Sequence, residues 1–163
     1  MRIMKEKDGI SIIAAVAKNG VIGNSKLDKM PWFIPEELKF FRLETFGKVV
    51  VMGRKTAEQV GELDSRRCIV MSRDENCKVP GFETMSYAGI VNLSQHLPVM
   101  ICGGAEIYSA FLDIASSAII SELDFEAKGD IFMPNIIKAG FKKASCEEFA
   151  KFSVNRYQKR AKI

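Results

Sequence analysis

The chain has 163 residues, the length of one domain, and a chain of this size can bury about two-thirds of its unfolded surface. Hydrophobic residues make up 47% of it and charged residues 27%, which is typical of a soluble globular protein, and no stretch approaches the roughly 20 apolar residues of a membrane span. The net charge of +4 could attract an anionic ligand, but the Lys and Arg residues lack the dense clustering of a nucleic-acid-binding protein.

The N-terminal segment predicts a buried strand. MRIMKEKDGISIIAAVAKNG begins like a secretory signal peptide, but Glu6 and Asp8 interrupt its charged part and its apolar run is at the short limit. We interpret residues 1–9 as a polar extension and ISIIAAVA, residues 10–17, as a strand covered on both faces, because its apolar run is continuous. KNGVIGN has the composition of a turn, and SKLDK is a polar loop that leads to Met30.

A helix is predicted to begin at Pro35, to run to about Thr45 and to end at Gly47. Its apolar residues are Leu38, Phe40, Phe41 and Leu43. On a wheel of about 100° per residue, their mean direction lies within roughly 20° of Glu37 and about 90° from Glu36. An inward carboxylate would have its pKa raised by desolvation, which suits proton exchange near neutral pH or a charged hydrogen bond to a cationic heterocycle. However, the four apolar residues are spread widely around the helix, so their mean direction is poorly defined. Periodicity alone therefore favours both acids lying in water, where they complement the helix macrodipole.

Strands and helices alternate through the rest of the chain. Further strands are predicted at KVVVM (48–52), CIVMS (68–72), FETM (82–85), PVMIC (98–102) and SAIISELD (117–124), and further helices at 56–60, 87–96 and 105–115. FKKASCEEFAK and FSVNRYQKRAKI are predicted to close the fold as an antiparallel pair, and the basic cluster NRYQKRAKI is interpreted as a solvated strand or tail. The alternation predicts a single α/β domain over 1–163 with a largely parallel sheet, which binds ligands at the carboxyl ends of its strands.

Three of these strand ends have the composition of a phosphate site. The segments are VVVMGRKT, VMSRD and MICGGAEIY, and their junction residues are Gly53, Arg54, Lys55, Thr56, Ser72, Arg73, Gly103 and Gly104. Glycine allows close backbone approach, a helix N-terminus favours anions, and a guanidinium with a hydroxyl suits a phosphate. Any one of them could be an ordinary strand-to-helix turn, but three together favour a nucleotide. None is G-x-G-x-x-G or a Walker loop.

Metal and triad chemistry have little support in the sequence. The four cysteines, Cys68, Cys77, Cys102 and Cys146, are widely spaced without a C-x-x-C pair, and the single histidine, His96, lies in LSQHLP, where we expect a loop. This argues against a zinc site and against a His-based catalytic triad. Reduced thiols in a cytoplasmic protein are the simplest interpretation, and we expect no metal.

The motifs together resemble those of the dihydrofolate reductase family. ISIIAAVAKNGVIG, MPWFIPEELKFF, VVVMGRKT, CIVMSR, ICGGAEIY and GDIFMP occur in the order and spacing of that family, from about residue 10 to 134 and more loosely to the end. The resemblance implies reduction of 7,8-dihydrofolate to 5,6,7,8-tetrahydrofolate with NADPH. It implies a three-layer α/β fold with a mostly parallel eight-stranded sheet, an antiparallel C-terminal strand and about four flanking helices. We further expect a cytoplasmic monomer without nucleic-acid or membrane partners.

The resemblance also implies a substrate site. Glu37 matches the family's pocket carboxylate, which binds the pterin N3 and 2-amino group and assists protonation at N5. Trp32 matches a residue that helps to hold a water near that acid, Ser121 a hydroxyl hydrogen-bonded to it, and Met30 belongs to the mobile loop that closes over the nicotinamide. The other implied substrate contacts are Ile13, Ala14, Leu38, Phe41, Val60, Cys102 and Tyr108. Arg66 matches the arginine that clamps the α-carboxylate of the glutamate tail, as a bidentate guanidinium can.

The implied cofactor site coincides with the three phosphate-site segments. Its residues are Ala15, Ile22, Gly23, Gly53, Arg54, Lys55, Thr56, Met71, Ser72, Arg73, Cys102, Gly103, Gly104, Ala105, Glu106, Ile107 and Tyr108. By resemblance, Arg54, Lys55 and Thr56 contact the pyrophosphate and 2′-phosphate, and Ser72 with Arg73 forms the 2′-phosphate pocket. A preference for NADPH is therefore expected.

Four departures from the family pattern bear on these assignments. The loop GNSKLDKMPW is longer than expected, which could alter its closure. GELDSRR lacks the usual proline-rich connection, so either Arg66 or Arg67 could be the tail clamp. Ala57 replaces a customary aromatic residue, and Glu106 stands where a cation or a small residue is common.

Two other functions remain to be weighed. A related pterin or pyrimidine reductase of the same superfamily is disfavoured by MPWFIPEEL, which matches the folate pterin site. A non-catalytic nucleotide- or folate-binding protein is disfavoured by the presence of Glu37, Trp32 and Ser121.

Overall fold

A computed structural model of the protein describes residues 9–159. Residues 1–8, which hold most of the expected polar extension, and residues 160–163, the end of the predicted last strand, lie outside the described range. The ten strands within it are β1 Gly9–Val16, β2 Val21–Gly23, β3 Val49–Met52, β4 Arg67–Met71, β5 Glu83–Met85, β6 Pro98–Ile101, β7 Ser117–Leu123, β8 Ile131–Phe132, β9 Phe141–Glu148 and β10 Phe152–Lys159. The four helices are α1 Pro35–Thr45, α2 Arg54–Val60, α3 Tyr87–Leu93 and α4 Ala105–Phe111.

Eight strands form one sheet in the order β5-β4-β3-β6-β1-β7-β10-β9. The pairs from β5 to β7 are parallel, and β10 is antiparallel to both β7 and β9. β1 lies between β6 and β7, and its successive residues Ile12 and Ile13 belong to different apolar cores, so β1 is covered on both faces, as its continuous apolar run predicts. The expected mostly parallel sheet with an antiparallel C-terminal strand and four helices is confirmed.

Each face of the sheet has its own apolar core. Ile12, Ile120 and Phe111 of α4 belong to one core, together with Ile90 of α3. On the other face, Ile13 packs with residues of α1 and α2, among them Ala57, which is fully buried. The small side chain of Ala57 therefore lies inside this core. None of the helices within residues 9–159 is long and apolar enough to cross a membrane.

Several predicted element bounds are wrong. KNGVIGN is only partly a turn, because Val21–Gly23 forms β2, which pairs with β8 in a separate two-stranded sheet. Strands of three and two residues are too short to show a periodic pattern. α2 begins at Arg54, before the predicted start. α3 and α4 end at Leu93 and Phe111, earlier than predicted, because the chain continues there as hydrogen-bonded turns rather than as helix.

Candidate active site

Glu37 lies inside the protein and Glu36 lies in water. α1 begins at Pro35, and its first turn contains both acids, of which Glu37 is buried, with an exposed fraction of 8%. Burial raises the pKa of Glu37, and a hydrogen bond from the Ser121 side chain offsets part of that rise. Ser121 is itself buried on β7, where it pairs with Ala15 of β1. The interpretation that both acids are solvated is therefore wrong for Glu37.

Tyr108 and Cys102 lie close to this carboxylate. The Tyr108 hydroxyl, buried on α4, donates a hydrogen bond of 2.7 Å to the main-chain oxygen of Ile13. Burial raises the pKa of Tyr108, and the proximity of Cys102 and then of Glu37 raises it further. Burial likewise raises the pKa of the Cys102 thiol, at the end of β6. Glu37, Tyr108, Cys102 and Ile13 therefore surround one region at the carboxyl ends of β1 and β6.

The apolar residues assigned to the substrate site divide into buried and exposed groups. Ile13 and Ala14 are buried in β1, and Phe41 is half-buried on α1. Leu38 on α1 and Val60 at the end of α2 are exposed. Leu43, which also contributed to the mean apolar direction of the helix, is exposed as well. Exposed apolar side chains beside a buried carboxylate are typical of a ligand-binding surface.

The segment that contains Trp32 and Met30 is held at its beginning by hydrogen bonds to Asp130. The main-chain N–H of Ser25 donates to Asp130 Oδ1 at 2.8 Å, and the Ser25 hydroxyl also donates to this carboxylate. These hydrogen bonds hold the pKa of Asp130 below its usual range. Farther along, Met30 is exposed, and Trp32 packs edge-on against Phe125. Asp130 belongs to the motif GDIFMP, but its contact with Ser25 joins residues too far apart in the sequence for the motif to predict it.

The two candidate arginines have different partners. Arg67 on β4 makes paired hydrogen bonds of 2.6 and 3.0 Å to the Glu83 carboxylate on the neighbouring strand β5. Arg66 instead turns towards α1, where its Nη1 donates to Thr45 Oγ1 at 3.2 Å. Arg66 also lies near enough to Cys102 to lower the pKa of that thiol slightly, against the larger effect of burial. These contacts favour Arg66 over Arg67 as the residue that faces the site.

The glycine-rich strand ends lie side by side, because β3 and β6 pair in parallel. The Gly53 N–H donates to the Gly103 main-chain oxygen at 2.9 Å, and the Gly103–Gly104 peptide is cis. A Cβ at Gly53 would lie 3.0 Å from Cγ1 of Ile107, and one at Gly104 would lie 3.5 Å from Oγ1 of Thr56. A side chain at Gly53 or Gly104 would thus narrow the space around these glycines. This space, formed by Gly53, Gly103 and Gly104 and called the cradle below, allows a ligand to approach the backbone closely.

Charged and polar groups surround this cradle. Arg54 and Lys55 are exposed at the start of α2, and Arg54 pairs with Glu58 at 3.0 Å. Ser72 and Arg73 follow β4, the strand next to β3. The donors and cations fit the phosphates of a dinucleotide. The other residues assigned to this site are Met71 at the end of β4, Ala15 on β1, Ile22 and Gly23 on β2, and Ala105, exposed Glu106 and Ile107 on α4.

Two further observations limit the site. Within residues 9–159, no group of three or more His, Cys, Asp or Glu side chains is arranged to hold a metal ion. A cavity of about 670 Å³ lies between β7, β10 and residues 133–137, and its lining includes none of the predicted site residues. The predicted site residues and this cavity therefore lie in different parts of the fold.

Comparison with known proteins identifies the family. The family model described as dihydrofolate reductase matches residues 9–162. The dihydrofolate reductase of Neisseria gonorrhoeae is 38% identical over 143 residues, which cover 85% of this chain and 87% of that protein. Dihydrofolate reductase type 5 of Escherichia coli is 38% identical over 134 residues, or 78% of this chain and 82% of that protein. The chain belongs to the dihydrofolate reductase family.

The fold agrees with a solved structure of the family. A dihydrofolate reductase from Enterococcus faecalis, in complex with NADP(H) and RAB-propyl, has a TM-score of 0.86 and 23% sequence identity, covering 95% of this chain and 99% of that chain. The predicted family, fold and enzyme class are thus confirmed. As a member of the family, the chain is an NADPH-dependent oxidoreductase that reduces dihydrofolate.

Proposed function

We propose that the chain reduces 7,8-dihydrofolate by addition of a hydride to C6 of the pterin and of a proton to N5, with Glu37 as the residue that binds the pterin. The observation that carries this proposal is the burial of Glu37. Among residues 9–159 it is the only Asp or Glu side chain that is buried. A buried carboxylate costs free energy unless a partner compensates it, so it indicates a ligand with matching donors.

Glu37 has the chemistry that this substrate requires. Its two carboxylate oxygens can accept hydrogen bonds from the N3 and 2-amino groups of the pterin, and the Ser121 hydroxyl lies beside the carboxylate as a further donor. Because burial raises its pKa, the carboxyl can exchange a proton closer to neutral pH than a solvated glutamate can. Trp32 and Met30 belong to the segment that precedes α1. By the family resemblance, Trp32 helps to hold a water near Glu37, and Met30 lies in the loop that closes over the nicotinamide.

The cradle of Gly53, Gly103 and Gly104 supports binding of the dinucleotide. NADPH, when bound, supplies the hydride. Arg54, Lys55 and Thr56 are the groups that would hold phosphates at the start of α2, and Ser72 with Arg73 would hold the 2′-phosphate. Ala15, Ile22 and Gly23 are assigned to the nicotinamide half, next to β1. The protein thus contributes mainly binding and orientation.

Arg66 is proposed as the clamp for the glutamate tail. Its neighbour Arg67 is already paired with Glu83, whereas Arg66 lies beside α1, the helix that carries Glu37. A guanidinium can bind the α-carboxylate of the tail through two parallel hydrogen bonds. A monomeric state and a cytoplasmic location remain predictions.

The decisive experiment follows oxidation of NADPH in the presence of dihydrofolate by wild type, Glu37→Gln and Glu36→Gln. General acid–base groups contribute about 10²- to 10⁴-fold to rates, so we expect kcat/KM to fall by roughly that factor in Glu37→Gln. Glu36→Gln makes the same change of charge one residue away, on an exposed side chain, and should leave kcat/KM within about twofold.

Each result bears on a different part of the proposal. Wild type without dihydrofolate-dependent turnover would refute the function and would favour a binding protein or a related reductase. Full activity of Glu37→Gln at neutral pH would refute the role of Glu37 alone. An equal kcat/KM with NADH and NADPH would contradict the 2′-phosphate pocket at Ser72 and Arg73.

A further inference from the structure

The guanidinium of Arg66 is hydrogen-bonded to Asp64, a residue of its own loop. Its Nε donates to the main-chain oxygen of Asp64 at 2.9 Å, and its Nη2 donates to Asp64 Oδ1 at 3.3 Å. Nη1 is held by Thr45 Oγ1. The exposed fraction of the Arg66 side chain is 3%, whereas that of Asp64 is 69%. An arginine assigned to a substrate carboxylate is therefore already in contact with a carboxylate of the protein.

Asp64 is bound more closely to a second arginine. Arg42 on α1 donates two hydrogen bonds to the Asp64 carboxylate, at 2.8 and 3.1 Å, one to each oxygen. These hydrogen bonds hold the pKa of Asp64 below its usual range, so Asp64 is ionised at neutral pH. The contact from Arg66 is longer than either contact from Arg42. Asp64 can therefore release Arg66 and still have a partner for its charge.

We propose that the carboxylate of Asp64 competes with the carboxylate of the substrate's glutamate tail for Arg66, and so weakens the preference of the enzyme for substrates that carry this tail. The inference rests on the proposed function, in which Arg66 clamps the tail. Asp64 acts in two ways: it neutralises part of the charge of Arg66, and it repels a second anion that approaches the same guanidinium.

Arg42 limits this competition. By pairing with both carboxylate oxygens, it draws Asp64 towards α1 and reduces the hold of Asp64 on Arg66. Exchange of Asp64 for a substrate carboxylate leaves no unpaired charge, since Asp64 keeps Arg42 and Arg66 gains the tail. The free-energy cost of replacing Asp64 by the substrate carboxylate at Arg66 is therefore small. Asp64 thus weakens binding of the glutamate tail without preventing it.

The test compares 7,8-dihydrofolate with 6-methyl-7,8-dihydropterin, which has no glutamate tail. Asp64→Asn keeps the main-chain contact and the shape of the side chain but removes the charge. We expect KM for dihydrofolate to fall about two- to fivefold, the range that exposed ion pairs allow, with kcat unchanged and with KM for the dihydropterin unchanged. Glu62→Gln, which removes one negative charge from the same loop, is the matched control and should change neither KM.

A double-mutant cycle separates Asp64 from Arg42. Arg42→Gln leaves Asp64 with Arg66 as its remaining partner among the contacts above, so KM for dihydrofolate should rise by a similar factor. In the Asp64→Asn background the same substitution should have no effect. If Arg42→Gln raises KM in both backgrounds, Arg42 binds the tail itself and the proposal is overturned.

Failure of the inference can be told apart from failure of the proposed function. An unchanged or higher KM for dihydrofolate in Asp64→Asn, or an equal change for both substrates, overturns the competition. Titration with N-(4-aminobenzoyl)-L-glutamate, followed by NMR shifts of the amides of residues 64–67, needs no turnover. Tighter binding of this fragment by Asp64→Asn than by wild type supports the competition, and equal binding overturns it. Absence of turnover by every variant would count against the function alone.

Discussion

The hydrogen bond from Tyr108 to Ile13 gives a stability prediction with a defined size. The ladder between β1 and β6 ends at the pair Ile12–Ile101, and Ile13 lies one residue beyond it. There the Tyr108 hydroxyl, 2.7 Å away, donates to the main-chain oxygen of Ile13 in a buried setting. Tyr108→Phe removes the donor without removing the ring, so the change affects the hydrogen bond rather than the packing.

Tyr108→Phe should lower the free energy of unfolding, because the buried main-chain oxygen of Ile13 loses its hydrogen-bond donor. Leaving a buried acceptor without its partner costs about 1–3 kcal/mol, and we expect roughly 2 kcal/mol for Tyr108→Phe. For a chain of this length, each kcal/mol lowers Tm by about 2–4 °C, so Tm should fall by about 4–8 °C.

Unfolding by urea, followed by intrinsic fluorescence, measures this difference directly. Tyr87→Phe is the matched control, since Tyr87 packs its ring against Phe111 at a centroid distance of 4.9 Å and is 42% exposed. It should remain within about 0.5 kcal/mol of wild type. If Tyr108→Phe and Tyr87→Phe both unfold at the same urea concentration as wild type, the hydrogen bond from Tyr108 to Ile13 does not stabilise the fold by the expected roughly 2 kcal/mol.

Two further predictions concern Glu37 and Gly129. Because burial raises the folded-state pKa of Glu37 above its unfolded value, the stability linked to its protonation is present below the unfolded pKa and is lost as pH rises through the folded pKa. Glu37→Gln should therefore become more stable relative to wild type as the pH rises through the folded-state pKa of Glu37. If the difference between the urea midpoints of Glu37→Gln and wild type does not change with pH, this prediction is wrong. A Cβ at Gly129 would lie 2.5 Å from Cγ1 of Val21 and closer still to the main-chain oxygen of Gly23. Gly129→Ala should therefore cost about 1–3 kcal/mol, measured as a lower Tm, and an unchanged Tm would show that β2 shifts freely.

Most of the local elements, and the family, could be predicted from the sequence alone. Continuous apolar runs such as ISIIAAVA and KVVVM predicted the buried strands, and Pro35 predicted the start of α1, because strand burial and helix initiation depend on neighbouring residues. The order and spacing of the motifs predicted the family, which the comparisons confirm. β2 and β8 were missed because each is stabilised by its partner rather than by its own pattern.

The burial and pairing of the polar side chains became evident only from the tertiary structure. The helical wheel favoured Glu37 over Glu36 only weakly, since the burial of Glu37 depends on the elements that pack against α1. Nor could the loop GELDSRR show that Arg67 pairs with Glu83 while Arg66 turns to Thr45 and Asp64. Burial and charge pairing join residues that are distant in the chain, so they follow from the packing of the elements and not from any one segment.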